Sequence, residues 1–394
     1  MTEVFALKRL VLRIAATMLL LLPMAAEAAP SSPVPQFETK AQQAVLMDYD
    51  TGMVLFQKNA DMKVEPASLA KLMTLAVVFD QLRQKRITLN DEFFVSEHAW
   101  RDGGAKSGSS TMFAVLNSKI RVEDLIKSVI IQSGNDAAIA LAEGVAGTEE
   151  TFAAMENQLA QKIGLTNSNF TNASGLPDPA MLTTARDLGN LARYLIREYP
   201  EYYPIFSQTE FTWNKIKQPN RNSLLEMGIG VDGLKTGHSE EAGYGSVVST
   251  AQGGRRLIAV LHGLTSMKER AEEGRKLLTW GTRGFDRIPV FPKGQVVGFA
   301  RVYGGEASEV ALIGQSNIDL FVPKGASNCP QANIVYKGPL RPPVDEGAKV
   351  AELRVMCNGQ LVQTAPLFTQ NAVAPGGLMR KAEDALKQLA LGWL

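Results

Sequence analysis

Residues 69–82 are apolar on nearly every side of a helical projection, a pattern that predicts a helix buried all round rather than lying on a surface. Residues 44–49 and 53–56 alternate around Asp50-Thr51-Gly52, predicting a β-hairpin just ahead of it. Residues 123–132 and 136–146 read as two helices joined by Ser133-Gly134-Asn135, three residues that favour caps and turns. Residues 187–198 are helical by pattern, 231–236 read as a strand, and 245–251 with 255–262 form a second hairpin around Gly253-Gly254. A helix over 268–280 closes this part. Helices set between an N-terminal hairpin and later strands predict an α/β (α+β) arrangement, an antiparallel sheet packed with helices.

After Arg287-Ile288-Pro289 the texture changes. Short alternating runs at 295–302, 309–313, 318–322, 334–336, 349–355 and 361–366 are separated by Gly and Pro, which predicts a small all-β domain. The resulting division is a first domain over 36–286, a second over 290–374 and a tail over 376–394. In the tail Leu378, Ala382, Ala385, Leu386, Leu389, Ala390 and Trp393 share a helical stripe opposite a charged side, so an amphipathic helix follows Pro375-Gly376-Gly377. Its length and polar side suit lying in a membrane interface rather than spanning a bilayer.

Composition adds little beyond a soluble globular class: 45% apolar and 21% charged residues in 394. A formal net charge of +1 gives no reason to expect nucleic acid as a partner. His98, His238 and His262 and the two cysteines show no metal-ligand spacing, so no metal or other cofactor is expected. Lys8, Arg9 and Arg13 precede a short apolar run over 14–26 and then Ala26-Glu27-Ala28, which reads as a signal peptide over 1–28. A retained N-terminal anchor is the alternative. Cys329 and Cys357 both fall in the β domain, where export would allow a disulfide; two buried thiols are the alternative.

The chemistry starts at Pro66-Ala67-Ser68-Leu69-Ala70-Lys71. A spacing of three on a helix puts Ser68 and Lys71 on one face, so a buried, neutral amine could take the hydroxyl proton. The helix N-terminus offers N–H groups to an oxyanion. Alone, S-x-x-K is weak, since about one is expected by chance in a chain this long. Ser133-Gly134-Asn135 and Lys235-Thr236-Gly237 change that, because S-x-x-K, S-x-N and K-[ST]-G in this order form one known signature. Lys106-Ser107-Gly108 is a decoy, since it precedes the S-x-N and lies in a Gly/Ser-rich loop, whereas Lys235 follows a predicted strand.

With these motifs, Asp232-Gly233-Leu234-Lys235-Thr236-Gly237-His238, the β domain and the tail, the chain resembles the low-molecular-mass penicillin-binding proteins, D-alanyl-D-alanine carboxypeptidases of the type-5 group (peptidase S11). The resemblance implies a β-lactamase-like serine transpeptidase fold. It implies a substrate, the D-Ala-D-Ala end of peptidoglycan stem peptides, and acylation by β-lactam antibiotics. Ser68 is then the nucleophile, Lys71 the base and Ser133 the route of a proton to the leaving D-alanine. Asn135 orients the peptide amide, and Lys235, its charge also keeping Lys71 neutral, binds the terminal carboxylate beside Thr236 and Gly237. The backbone N–H groups of Ser68 and His238 form the oxyanion hole. Arg221 matches a pattern near the site and stays outside this set. The same likeness implies an exported protein on the periplasmic side of the cytoplasmic membrane, held at the membrane surface by its C-terminal helix.

A class A β-lactamase shares two of the motifs but needs a deacylating glutamate, and none is evident between Asn135 and Lys235. A D,D-endopeptidase of the same fold and a non-catalytic membrane-associated binding protein are the other readings.

Overall fold

The structure, a computed structural model, describes residues 37–324, 330–357 and 359–391. The expected signal peptide, Cys329 and Trp393 lie outside the described residues. The expected hairpin is β1 (Gln43–Asp48) and β2 (Val54–Lys58). Its turn is tied by Asp48, whose Oδ1 accepts from the backbone N–H and the hydroxyl of Thr51 at 3.0 and 2.7 Å. Every residue of β1 is buried, because helices cover one face of the sheet and a second apolar cluster the other.

The Ser68 segment departs from the expected single helix. Ala67–Ala70 is one 3₁₀ turn, and the α-helix, α1 (Lys71–Arg83), begins at the lysine. Eleven residues of α1 are buried, among them Leu72, Met73, Leu75 and Phe79, which accounts for a pattern with almost no polar face. Around it come β3 (Glu92–Phe94), α2 (Glu97–Asp102) and β4 (Lys119–Arg121), then α3 (Val122–Ile131) and α4 (Asn135–Ala146). These are followed by α5 (Glu149–Lys162) and α6 (Ala185–Glu198). The expected bend between α3 and α4 is present, with Asn135 as the first residue of α4. α5 was not expected from the pattern: its Glu156 is fully buried, so the polar residues do not mark its outer face.

After the short ribbon β5 (Glu210–Trp213) and β6 (Ile216–Pro219) come β7 (Val231–Ser239), β8 (Gly243–Gln252), β9 (Arg255–Leu264) and α7 (Met267–Arg283). β10 (Phe285–Phe291) then runs through the segment expected to be a connector and pairs with β13 (Ile318–Pro323). The domain boundary expected from the sequence falls here, and Pro289 lies within the strand. In a two-stranded ribbon a free edge tolerates its missing N–H. The remaining strands are β11 (Val296–Arg301), β12 (Glu309–Ile313), β14 (Gln331–Tyr336), β15 (Lys349–Cys357) and β16 (Gln360–Thr369), before α8 (Leu378–Leu391).

Among the described residues one ten-stranded antiparallel sheet runs β11-β12-β16-β2-β1-β9-β8-β7, with β15 and β14 continuing from β16. The two halves meet where Thr364 of β16 pairs with Val54 of β2. β7 ends this row as an edge strand, so one row of its backbone groups is free of sheet pairing. Cys357 is buried and disulfide-bonded.

Candidate active site

Two close approaches build the site. Gly237 in β7 lies against the Ser68 turn: a Cβ there would sit 3.0 Å from Leu69 Cγ and 3.3 Å from Pro66 O. Gly175, at φ +71°, lies on the other side, where a Cβ would fall 2.0 Å from Ala67 O. Glycine is thus required on both walls around the nucleophile. Ala67 and Ser133 are non-glycine residues at φ +46° and +66°, the sparsely populated left-handed region often found at functional sites.

The structure brings together Ser68, Lys71, Ser133, Asn135, Lys235, Thr236, Gly237 and His238. All but the two lysines line one cleft of ≈ 630 Å³, and those lysines lie behind its wall, fully buried. Lys71 Nζ is 3.0 Å from Ser68 Oγ and 2.6 Å from Asn135 Oδ1, and also contacts Ser174 O. The Asn135 amide is oriented by its Nδ2, which donates to Ser109 Oγ at 2.8 Å, leaving Oδ1 for the lysine. Asp136 anchors the start of α4 by accepting from Thr111 Oγ1 and the backbone N–H groups of Met112 and Ala114.

Counting hydrogens gives this geometry its chemical meaning. A neutral amine has two N–H bonds and one lone pair. Asn135 Oδ1 and Ser174 O can only accept, so they take both N–H bonds, and the lone pair is left facing Ser68 Oγ. Burial pushes the Lys71 amine down to about 7; the nearby Arg221 guanidinium lowers it further, while Asp136 and Glu149 oppose this.

Lys235 Nζ donates to Ser133 Oγ at 2.9 Å and to Thr236 O at 2.8 Å. Its amine is also held well below the ordinary lysine range, by burial first and then by Lys71, Arg221 and Arg270. Lys71 is lowered by burial first and then by Arg221, and the mutual repulsion of the two amines acts on Lys235. Lys235 itself is buried behind the cleft wall, next to the lining residues Thr236 and Gly237. The cations lining the cleft are Arg221, whose Nη1 donates to Ser110 Oγ at 2.6 Å, and Arg270, whose Nη2 donates to Arg221 O at 3.2 Å.

Sequence reasoning set Arg221 aside and missed Arg270 and Ser174. Arg270 had no motif, and Ser174 acts through its backbone carbonyl. The His238 ring packs 3.9 Å from that of Tyr244, and both residues line the cleft with Ser68. No glutamate is among the described residues lining the cleft. Among the described residues no three His, Cys, Asp or Glu side chains gather as metal ligands.

A family model described as D-alanyl-D-alanine carboxypeptidase (peptidase S11) matches residues 26–265. One described as penicillin-binding protein 5, C-terminal domain, matches residues 285–375. The chain is 40% identical over 388 residues to D-alanyl-D-alanine carboxypeptidase DacC of Escherichia coli (strain K12), covering 98% of this chain and 96% of that one. Penicillin-binding protein 5 from Haemophilus influenzae superposes with a TM-score of 0.69 at 38% identity, covering 87% of this chain and 100% of that one. Penicillin-binding protein D2 from Listeria monocytogenes, solved with ampicillin bound, gives a TM-score of 0.57 at 28% identity over 63% of this chain and 100% of its own. With both family models matched and a relative aligned along nearly its whole length, the chain belongs to the D-alanyl-D-alanine carboxypeptidases of peptidase family S11, serine-type enzymes of the penicillin-binding protein fold.

Proposed function

We propose that Ser68 removes the terminal D-alanine from peptidoglycan stem peptides through an acyl-enzyme. The carrying observation is the Lys71 amine, with both N–H bonds committed and its lone pair facing Ser68 Oγ. Ser68 Oγ attacks the carbonyl between the two D-alanines as its proton passes to Lys71 Nζ. The N–H groups of Ser68 and His238 receive the oxyanion, and Asn135 orients the substrate amide. Ser133, bridged to Lys235, hands its hydroxyl proton to the nitrogen of the departing D-alanine and recovers one from the Lys71 ammonium, which leaves that amine neutral again; water then hydrolyses the ester, its second proton returning to Ser68 Oγ. Arg221 and Arg270, with the Thr236 hydroxyl, receive the terminal carboxylate, which favours cleavage at a chain end over endopeptidase action.

β-Lactams acylate the same serine. The enzyme is exported and works on the periplasmic side of the cytoplasmic membrane. Its C-terminal helix holds it at the surface: Leu378, Met379 and Leu386 of α8 are exposed, while Arg380 and Asp384 are half-buried and Asp384 Oδ2 accepts from Gly304 N–H at 2.8 Å. This helix therefore keeps part of its polar side on the β domain and turns apolar residues outward. Among the described residues no helix is long and apolar enough to cross a membrane.

The test is incubation with a pentapeptide ending in D-Ala-D-Ala, read by mass. Wild type should remove one alanine, and folded Ser68→Ala should neither do so nor retain penicillin covalently. Covalent labelling of Ser68→Ala would sink the assignment.

A further inference from the structure

Two of the three glutamates of helix α5, Glu149 and Glu156, face inward yet touch neither Ser68 nor the cleft. They are two helical turns apart and share a face. Both act on one residue. Glu149 Oε1 accepts the Ala173 N–H at 2.9 Å. Glu156 Oε1 lies 2.9 Å from Thr74 Oγ1, which lies 2.7 Å from Ala173 O. The next carbonyl, Ser174 O, is the one that takes an N–H bond of Lys71.

Proton counting again sets the state of the groups. Thr74 has one hydroxyl hydrogen and two oxygen neighbours. The Ala173 carbonyl can only accept, so when Thr74 donates to it, Glu156 must supply the other hydrogen. Glu156 is fully buried, its Oε2 has no hydrogen-bond partner, and among the described residues no cation pairs with it. An ionised carboxylate there would leave a buried charge uncompensated, whereas a carboxylic acid leaves only one carbonyl oxygen unpaired. Burial pushes the Glu156 acid well above the usual carboxyl range, and Glu149 pushes it in the same direction. Glu149 is a different case, since its Oε2 is 3.5 Å from Nε2 of His98, a ring also flanked by Glu143 and Asp102.

We propose that Glu149 and Glu156 are positioning residues for Lys71. They hold the N–H and the C=O of Ala173, Glu156 as a neutral acid acting through Thr74, and so fix the Ser174 carbonyl that aims the lysine lone pair at Ser68. The proposal rests on Lys71 being the base. The charged or titratable groups facing Lys71 are Arg221, Asp136, Glu149 and Lys235; of these, Glu149 is the one α5 contributes.

The experiment measures single-turnover acylation of the full-length protein by a chromogenic penicillin between pH 5.5 and 9, with melting temperatures recorded alongside. Glu156→Gln, whose amide still donates to Thr74, should acylate within about twofold of wild type. Glu156→Leu and Thr74→Val should slow acylation roughly tenfold or more, because a misaimed base costs rate steeply. Glu149→Gln keeps an acceptor for the Ala173 N–H but removes a negative charge that favours the lysine ammonium. Its acid limb should therefore move to lower pH, a change that simple loss of packing would not produce. Any of three results overturns the proposal: wild-type rates in both Glu156→Leu and Thr74→Val, an unshifted limb in Glu149→Gln, or Glu156→Gln as slow as Glu156→Leu. Lys71→Ala separates the underlying reading, since normal acylation by that variant removes Lys71 as base whatever the α5 variants do.

Discussion

The pH dependence of acylation follows directly from the buried base. With the Lys71 amine held at about 7, about one molecule in eleven carries it neutral at pH 6 and about ten in eleven at pH 8. If the neutral amine is the species that takes the Ser68 proton, acylation should rise about tenfold between these values and flatten above. The perturbation that tests the cause is Arg221→Gln. The guanidinium disfavours a second positive charge on Lys71, so its removal should raise the lysine and move the acid limb to higher pH. The assay is stopped-flow acylation by a chromogenic β-lactam at saturating concentration, so that weaker binding of the reagent's own carboxylate does not enter and the acylation step is read alone. A rate constant level from pH 5.5 to 8.5, or a limb that stays in place or moves down in Arg221→Gln, would refute the reasoning.

Gly237→Ala would place its Cβ 3.0 Å from Leu69 Cγ and 3.2 Å from Leu69 N, forcing β7 off the nucleophile turn. Acylation should fall roughly a hundredfold, with a smaller loss of melting temperature. Thiol titration of the denatured, unreduced protein should find no free cysteine, and reduction should destabilise the β domain by about 3 kcal/mol in chemical denaturation. Two reactive thiols before reduction would exclude the bridge. Deleting residues 376–394 should release the signal-processed protein from membranes with its activity on soluble peptide retained; persistent sedimentation with membranes would show that α8 is not the anchor.

Much of the site was readable because its chemistry needs particular side chains at fixed spacings. Ser68 and Lys71 must share a helical face, Ser133 and Asn135 need a turn, and Lys235 needs a strand, β7, in which it is the middle residue. The run at 309–313 was readable for a simpler reason: Val310 and Leu312 point inward and their neighbours do not. Other features leave no such mark. Ser174 serves through a carbonyl that any residue possesses. Arg270 sits in the first turn of α7 and reaches the cleft only because that helix packs beside the Arg221 loop. In α5, Glu156 faces inward, so a pattern that treats acidic residues as outer-face markers misplaces the helix. Strand β10 was hidden by Pro289, an ambiguity that pairing rather than composition resolves.

The four cations of the site divide into two pairs with different tasks. Lys71 and Lys235 lie behind the cleft wall, where burial lowers both amines and their N–H bonds are committed to fixed acceptors. Groups held in this way move protons at little cost in reorganisation. Arg221 and Arg270 lie on the wall, and a guanidinium remains charged under conditions that neutralise a buried amine. Their positive potential serves twice. In the proposed mechanism it draws a carboxylate to the leaving-group side of Ser68; in addition Arg221 helps hold both lysines low, and Arg270 helps hold Lys235 low. A bound terminal carboxylate would partly neutralise the arginines, relieve that repulsion and raise the Lys71 amine at the stage when it accepts the Ser68 proton. In that mechanism substrate recognition and base strength are linked through Arg221, and Arg221→Gln should weaken peptide binding and move the acid limb together.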